Sequence, residues 1–317
     1  NVVLALAPAG IAIFANSPLE GGRATGLKEN RLTVWDRMFR HSRYAGDHYL
    51  QRLPERPFVD LGDYFRWMFA PGTASRCLPL AVDDGYKSAT GVHLAGSPSL
   101  SEFLASGGWP GRRTDTGEAV TIAPQGGHFE YSQFAHFLDA RWRYRLAEPP
   151  ALEALREAWR RPGGIEELYA GLGASGYIEG RGPGAGFADA QLIDEAGQSV
   201  AATLVMAPSA LQLGLMRNLA QAEDLLRSWG WLRLRAMRAD AMRDALDDDA
   251  VRALASEVLA VAEGGLAPDE RHWLAYGRYA IDARSTGADR LLRLWRSLEG
   301  DAQRLAKVGR QRAAVPL

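Results

Sequence analysis

Hydrophobic and polar positions follow a helical period in several long segments of the chain. Residues 1–15 form an almost continuous apolar run, which is too short for periodicity to separate a buried helix from a strand. Between residues 61 and 70 the aromatic and methionine side chains fall on one side at about 3.6-residue spacing, which predicts an amphipathic helix. From residue 200 onward nearly every segment is predicted to be helical, including an apolar stripe between residues 251 and 261.

Local start and stop signals divide the rest of the chain into shorter elements. Ser99 is a good N-cap for a helix, because its hydroxyl can accept a hydrogen bond from the first turn. Residues 131–146 are rich in arginine and aromatic residues and are interpreted as a helix, which two prolines separate from another predicted helix over residues 152–159. Residues 71–98 are interpreted as turns and short strands, and residues 176–181 as a strand. This mixture predicts an α+β fold whose C-terminal half is mainly helical.

The composition argues against several classes of partner. The 37 basic and 38 acidic residues give a net charge of −1, so the sequence gives no electrostatic reason to expect binding to nucleic acid or to a membrane surface. No apolar run is long enough to span a bilayer, and the run at the start lacks the basic residues of a signal peptide. The single cysteine, Cys77, excludes an intramolecular disulfide and is interpreted as a small buried side chain. A reducing compartment, and hence a cytoplasmic location, is expected.

The segment from residue 14 to residue 35 is the most informative for function. An apolar run leads into Asn16-Ser17-Pro18, where proline enforces a turn, and then into a glycine-containing loop. Arg31 and Trp35 follow four residues apart, so on a helix they lie on one face. Such a pair can bind a carboxylate through the guanidinium while the indole forms a pocket wall. On spacing alone, an arginine packed against a surface tryptophan is the favoured interpretation.

The order of residues in this segment resembles the plant and bacterial form of the glutamate–cysteine ligase family, which includes the ergothioneine-pathway ligases. That family has an Ala-Asn-Ser-Pro turn, a glycine-bearing loop, Thr or Asn before Gly, and then Arg and Trp separated by three residues. The matching positions here are Ala15-Asn16-Ser17-Pro18, Gly21 or Gly22, Thr25-Gly26, Arg31 and Trp35. The resemblance implies that Arg31 holds a substrate carboxylate and that Trp35 forms part of the pocket wall. It implies further substrate contacts by Asn16, Ser17 and Thr25.

A second match lies at residues 177–181, Tyr-Ile-Glu-Gly-Arg, which resemble the family's Tyr-Leu-Glu-x-Arg strand. In strand geometry Tyr177, Glu179 and Arg181 share one face. From the residues alone, a structural Glu–Arg ion pair explains the last two equally well. The resemblance implies instead that Glu179 and Arg181 are catalytic residues facing the reacting phosphate, with Glu179 also a metal ligand. The glycine-rich run at residues 182–186 lacks the Lys-Ser/Thr of a P-loop and is interpreted as a plain turn.

Two later stretches, residues 207–215 and 285–295, resemble core helices of the same family. The six histidines show no metal-ligand spacing. Residues 147–175 form an insertion relative to the family pattern. We therefore expect one catalytic-type domain over residues 1–317, with the glutamine-synthetase-like fold of carboxylate–amine ligases and without the N-terminal part of a family enzyme.

The resemblance implies an ATP-dependent ligase that joins the γ-carboxylate of glutamate to the amine of cysteine through an acyl phosphate, as in glutathione biosynthesis. It implies ATP and Mg²⁺ as cofactors and glutamate, cysteine and ATP as small-molecule partners. An N-terminal half or another subunit is a candidate protein partner. Two alternatives remain open, namely a related ligase that uses another amine and a non-catalytic, split or degenerate subunit of such an enzyme.

Overall fold

The computed structural model describes residues 1–41, 53–70, 77–81, 90–96, 98–132, 138–184 and 186–315. The helices in these ranges are α1 (Val2–Ala5), α2 (Ala7–Ile13), α3 (Thr33–Arg40), α4 (Leu61–Met68), α5 (Leu100–Ala105), α6 (Gly126–Ser132), α7 (Leu152–Arg160), α8 (Gly164–Gly171), α9 (Ala190–Ala196), α10 (Gln198–Thr203), α11 (Ala207–Arg217), α12 (Leu219–Trp229), α13 (Trp231–Arg243), α14 (Asp249–Gly265), α15 (Ala275–Ala283), α16 (Gly287–Ser297) and α17 (Arg304–Gln311). Short 3-10 helices lie at Asn30–Leu32, Ala245–Asp247 and Arg271–Leu274. The strands are β1 (Leu19–Glu20), β2 (Arg23–Ala24), β3 (Cys77–Pro79), β4 (Gly91–Leu94), β5 (Trp109–Arg113), β6 (Ala119–Ile122), β7 (Ala140–Arg145) and β8 (Ser175–Gly180). The predicted α+β class is confirmed, and the specific ligase fold stays a prediction.

The chain divides into two compact units. The helical unit contains Asn1–Val34 and Gly180–Leu317, and the mixed unit contains Trp35–Glu179. This division does not test whether the two units form one catalytic domain. The single domain expected over residues 1–317 therefore stays a prediction. Neither unit contains, among its described residues, a helix that is long and apolar enough to cross a membrane.

The core of the helical unit is built around α2, so the apolar run at the start of the chain is helical. Every residue of α2 is buried, as expected for a helix that is apolar on all sides, and it packs against α13 and α14. Helix α11 crosses α14 closely, because a Cβ atom on Gly214 would lie only 2.1 Å from the carbonyl oxygen of Ala262. The apolar stripe predicted on α14 is buried at Val251, Leu254 and Val258.

The mixed unit combines an antiparallel sheet with an aromatic core. Strands β3, β4, β5 and β6 pair in sequence order, and β7 pairs with β8. The ring of Phe65 on α4 lies 5.6 Å from that of Phe69, 4.8 Å from Phe129 and 6.3 Å from Trp159, measured between centroids, so aromatic packing dominates this core. Cys77, which was expected to be buried, is only half-buried because it begins the edge strand β3.

Local sequence signals in the mixed unit are mostly confirmed, and one is wrong. Ser99 caps α5 in a capping box, where Glu102 N–H donates to Ser99 Oγ at 3.2 Å and Ser99 N–H donates to the Glu102 carboxylate at 2.6 Å. Helices α4 and α7 form where the periodicity predicts them. The prediction of a helix over residues 131–146 is wrong where the strand β7 forms. In β7 three arginines alternate with Ala, Trp and Tyr, which is the two-residue period of a strand. Residues 133–137 of that predicted helix lie outside the described ranges.

A buried histidine in α6 joins β3 to the core of the mixed unit. His128 is fully buried, and its Nδ1 atom accepts a hydrogen bond from Gln125 N–H at 2.9 Å. With Nδ1 acting as acceptor, Nε2 carries the proton and donates to the carbonyl oxygen of Pro79 at 3.1 Å. Burial lowers the pKa of His128 below its ordinary value.

Because the pKa of His128 is lowered, we expect the free energy of unfolding to decrease at acidic pH. Below about pH 6.5 the unfolded chain takes up a proton that folded His128 does not, so the free energy of unfolding should fall as the pH drops. Urea unfolding at about pH 7.5 and about pH 5.5 measures this loss, which should shrink in His128→Asn and persist in the surface variant His272→Asn. An equal loss of stability in wild-type protein and His128→Asn would contradict the assignment.

Candidate functional site

The loop between α2 and the first 3-10 helix carries most of the predicted site residues. Ser17 joins its two ends, since Ser17 N–H donates to the carbonyl oxygen of Lys28 at 3.0 Å and Asn30 N–H donates to the carbonyl oxygen of Ser17 at 3.1 Å. Between them, β1 and β2 form a hairpin through Gly21 and Gly22. Both glycines have positive φ angles, 54° and 74°, which a two-residue hairpin turn requires. The outgoing and returning segments therefore lie side by side.

Two hydroxyl groups predicted to bind substrate hold this loop together. The Oγ atom of Ser17 accepts a hydrogen bond from Arg31 N–H at 2.9 Å. The Thr25 hydroxyl donates to the carbonyl oxygen of Pro18 at 3.1 Å and accepts from Leu27 N–H at 3.2 Å. Ser17 and Thr25 thus have a structural role in the loop, and their contacts with substrate stay predictions.

Glu29 is the buried centre of the loop, with an exposed fraction of 0%. One carboxylate oxygen accepts from Asn16 N–H at 2.9 Å, and the other accepts from Arg31 Nε at 3.1 Å. A buried carboxylate is costly unless it is paired and hydrogen-bonded, and both oxygens of Glu29 meet this requirement. Glu29 therefore fixes the Asn16 turn and the Arg31 side chain relative to each other.

Lys28 fixes the same loop to helices that come much later in the chain. Its buried Nζ atom lies 2.6 Å from a carboxylate oxygen of Asp247 and 2.7 Å from one of Asp289. Asp289 also forms a capping box with Thr286 at the start of α16. Because its ammonium group is paired with both carboxylates, Lys28 acts here as a structural cross-link between the loop and these helices.

The guanidinium of Arg31 is held on two of its three nitrogens. Nε is paired with Glu29, and Nη2 donates to the carbonyl oxygens of Arg181, Gly182 and Pro183 at 3.1, 3.0 and 3.1 Å. Nη1 makes no hydrogen bond to any residue in the described ranges, and the side chain is 40% exposed. An arginine held in this way loses little conformational freedom when its remaining donor binds a carboxylate.

The glycine-rich run after β8 presents carbonyl oxygens to Arg31, whereas phosphate cradles present N–H donors. Gly184 lets this run approach the loop closely. A Cβ atom there would lie 2.2 Å from the carbonyl oxygen of Phe14 and 2.8 Å from a carboxylate oxygen of Glu29. This part of the run therefore packs tightly against α2 and Glu29. Residue 185 lies outside the described ranges.

Glu179 lies on β8 in the mixed unit and forms an ion pair with β7. Arg141 Nε donates to one carboxylate oxygen at 2.8 Å and Arg141 Nη2 to the other at 3.2 Å, while Arg143 Nε lies 3.8 Å away. A structural ion pair is thus present, with Arg141 rather than Arg181 as the partner. Arg181 follows the end of β8 and contributes its carbonyl oxygen to the Arg31 contact. The catalytic roles implied for Glu179 and Arg181 stay predictions.

Arg31 and Trp35 do not share one α-helix. Arg31 lies in a 3-10 helix of the helical unit, and Trp35 lies on α3 in the mixed unit. Asn16, Ser17 and Arg31 are brought together near Glu29. The substrate-binding roles of Arg31 and Trp35 stay predictions.

The described residues contain no group of three or more His, Cys, Asp or Glu side chains placed to hold a metal ion. Both carboxylate oxygens of Glu179 accept from Arg141. In this arrangement the surroundings of Glu179 do not fit a magnesium ion, which prefers free carboxylate, phosphate and water oxygens. The metal role of Glu179 rests on the resemblance alone.

Sequence reasoning missed two charged residues that build the site. Glu29 lies two residues before Arg31. An acidic residue so close to a candidate binding arginine could have indicated that the two side chains pair. Arg312 lies near the other end of the chain, and its Nη2 donates to Asn16 Oδ1 at 2.8 Å. Burial lowers the pKa of Arg312, although an arginine remains charged at any physiological pH. Its distance along the chain from Asn16 leaves no local pattern that could reveal the contact.

Comparison with known proteins supports the class of enzyme. A model of glutamate-cysteine ligase family 2 (GCS2) matches residues 1–57, which include the whole loop and Trp35. The resemblance to the glutamate–cysteine ligase family is therefore confirmed for this segment of the 317-residue chain. It supports a carboxylate–amine ligase as the general class. A search of curated proteins found no match.

Glu29→Gln should destabilise the helical unit. A glutamine offers one acceptor oxygen, so either Asn16 N–H or Arg31 Nε–H would face an amide donor, at a cost of about 1–3 kcal/mol. Urea unfolding followed by tryptophan fluorescence measures this loss. The surface variant Glu299→Gln, after α16 of the same unit, should change the free energy of unfolding by less than about 0.5 kcal/mol. Equal stabilities for the two variants would contradict the central position of Glu29.

Gly184→Ala should also destabilise the protein, because its Cβ atom has no room beside the carbonyl oxygen of Phe14. The expected loss is about 1–3 kcal/mol of unfolding free energy in the same urea experiment. Gly309→Ala on α17 is the matched control, since nothing lies within 4 Å of its Cβ position and alanine favours a helix. A neutral Gly184→Ala would show that the run does not pack this closely in solution.

Proposed function

We propose that this chain acts as an ATP-dependent ligase that joins the γ-carboxylate of glutamate to the amine of cysteine. The observation that carries the proposal is the state of Arg31, whose Nε and Nη2 atoms are fixed while Nη1 remains as a donor on a 40% exposed side chain. This arrangement suits a residue that holds a substrate carboxylate. It lies within the segment matched by the GCS2 family model.

In the proposed reaction, a γ-carboxylate oxygen of glutamate attacks the terminal phosphorus of ATP, which releases ADP and leaves an acyl phosphate. The amine of cysteine then attacks the acyl carbon, inorganic phosphate leaves with the bonding electrons, and a γ-peptide bond remains after the amine loses a proton. Arg31 would bind a carboxylate of glutamate through Nη1 and keep it in place during both steps. Asn16, Ser17 and Thr25 line the same loop and are proposed to contact the substrate.

The roles of the remaining predicted residues rest on the resemblance alone. Arg181 and Glu179 are proposed to act at the reacting phosphate, and Trp35 to form part of a pocket wall. ATP supplies the phosphoryl group, and Mg²⁺ is proposed to neutralise its phosphates, as in other phosphoryl transfers. The geometry at Glu179 offers no free carboxylate oxygen for that ion.

Release of ADP by the purified chain, measured with ATP, Mg²⁺ and glutamate, tests the proposal directly. We expect release that depends on cysteine and a product that contains a γ-peptide bond. Release that depends on another amine instead would favour the related ligase. No release under any combination would contradict the proposal and favour a non-catalytic subunit.

Arg31→Lys tests the residue that carries the proposal. Lysine keeps the charge but lacks the planar fork, so the KM for glutamate should rise by about tenfold or more while the KM for ATP stays unchanged. Arg23→Ala is the matched control, because Arg23 is an exposed arginine on β2 of the same loop and should leave both constants unchanged. An unchanged KM for glutamate in Arg31→Lys would remove Arg31 from the carboxylate site.

A further inference from the structure

A cleft in the mixed unit lies between α5 and α7, with a volume of about 210 Å³. The apolar part of its wall comes from Leu104 and Ala105 of α5 and from Leu155 and Trp159 of α7. An apolar cavity of about 150 Å³ is enough to hold one benzene molecule. The cleft can therefore take a single aromatic ring with a short side chain. The described residues that line it include none of the predicted site residues.

Trp159 forms a wall whose position is fixed by the aromatic core. Its ring centroid lies 6.3 Å from those of Phe65 and Phe69, with the rings stacked, and 5.3 Å from that of Phe129, edge to face. The indole is thus held from the side of the core, while the residue stays partly exposed. Aromatic rings attract one another in offset-stacked and edge-to-face arrangements, so a flat ring is the shape that this wall favours.

Arg156 fixes α5 to α7 beside the cleft. Its Nε atom donates to the carbonyl oxygen of Leu104 at 2.6 Å and its Nη2 atom to that of Ser106 at 3.1 Å, which satisfies carbonyl groups at the end of α5. Its Nη1 atom is paired with Glu153 at 2.5 Å. All three nitrogens of Arg156 are therefore engaged within the protein, and the two helices are joined before any ligand binds.

Arg160, one turn further along α7, gives the cleft a positive charge that the protein does not neutralise. It lines the same cleft, is exposed, and makes no hydrogen bond or ion pair with any residue that the structure describes. Residues four apart on a helix share a face, so its side chain extends on the same side of α7 as that of Arg156. An apolar cleft with a cation at its edge complements a carboxylate attached to an apolar ring.

We propose that this cleft is a binding site for a small aromatic carboxylic acid, whose ring packs against Trp159 and whose carboxylate pairs with Arg160. A single ring joined to the carboxylate by a short chain matches both the volume and the charge of the cleft. The inference does not depend on the proposed ligase activity, because binding is measured in the absence of ATP and glutamate.

The first test locates the ligand by NMR, with phenylpropionate as the probe and the full chain labelled with ¹⁵N. The chain has nine tryptophans, each with one indole N–H group, and the signal that is lost in Trp159→Phe belongs to Trp159. Titration with phenylpropionate should shift this signal in a saturable way, with a Kd of about 1 mM or lower. A Trp159 signal that does not move at about ten times that concentration would overturn the inference.

The second test separates the contribution of the charge from that of the ring. Arg160→Gln should weaken phenylpropionate binding by about fivefold, as expected for the loss of an exposed ion pair. Arg145→Gln is the matched control, because Arg145 is an exposed arginine on β7 of the same unit and should leave the Kd unchanged. Phenylpropanol, which has the ring without the charge, should bind wild-type protein more weakly and should not distinguish it from Arg160→Gln.

Two results of this comparison would overturn the inference. One is an equal Kd for phenylpropionate and phenylpropanol in wild-type protein, which would show that no cation recognises the carboxylate. The other is an equal loss of affinity in Arg160→Gln and Arg145→Gln, which would show that only the net charge of the protein matters.

Discussion

The candidate site depends on one buried carboxylate, that of Glu29. A carboxylate removed from water must be paired, and Glu29 is paired through one oxygen with the backbone of Asn16 and through the other with the side chain of Arg31. These two contacts fix the Asn16 turn and the Arg31 side chain relative to each other. Since Arg31 then reaches the carbonyl oxygens after β8, the same carboxylate indirectly fixes the glycine-rich run as well.

The surrounding helices supply the remaining constraints on this loop. Lys28 ties it to Asp247 and Asp289, and Arg312 ties Asn16 to the start of α9. Most of these charges are shielded from solvent, where an ion pair is screened less than at the surface, although the Asp247 side chain is 60% exposed. The first part of the helical unit is therefore held by its last part. Side chains that already hold such contacts lose little further conformational entropy when a ligand binds.

Sequence reasoning succeeded where the relevant physics is local. The capping box at Ser99, helix α4 and strand β8 each depend on residues within a few positions, and each was predictable. The strand β7 was also visible in principle, because arginines alternate there with larger apolar residues, but the aromatic content suggested a helix. The partner of Glu179 depended on recognising β7, so an error in secondary structure hid the ion pair with Arg141.

The parts that could not be predicted involve contacts between distant segments. Nothing near Asn16 indicates that Arg312 donates to its side chain, and nothing near Arg31 indicates which carbonyl oxygens receive its Nη2 atom. The family pattern identified Arg31 as a residue of interest, whereas the fold shows how Glu29 orients it. The family pattern and the fold thus both single out Arg31, whose Nη1 atom is the donor proposed to bind substrate.

The most direct test of this role of Arg31 is a crystal structure of the protein with bound glutamate. We expect a carboxylate oxygen of the ligand within hydrogen-bond distance of Arg31 Nη1, with the Nε contact to Glu29 and the Nη2 contacts to residues 181–183 retained. Glutamate bound away from Arg31, with Nη1 of that residue turned to solvent, would contradict the central claim.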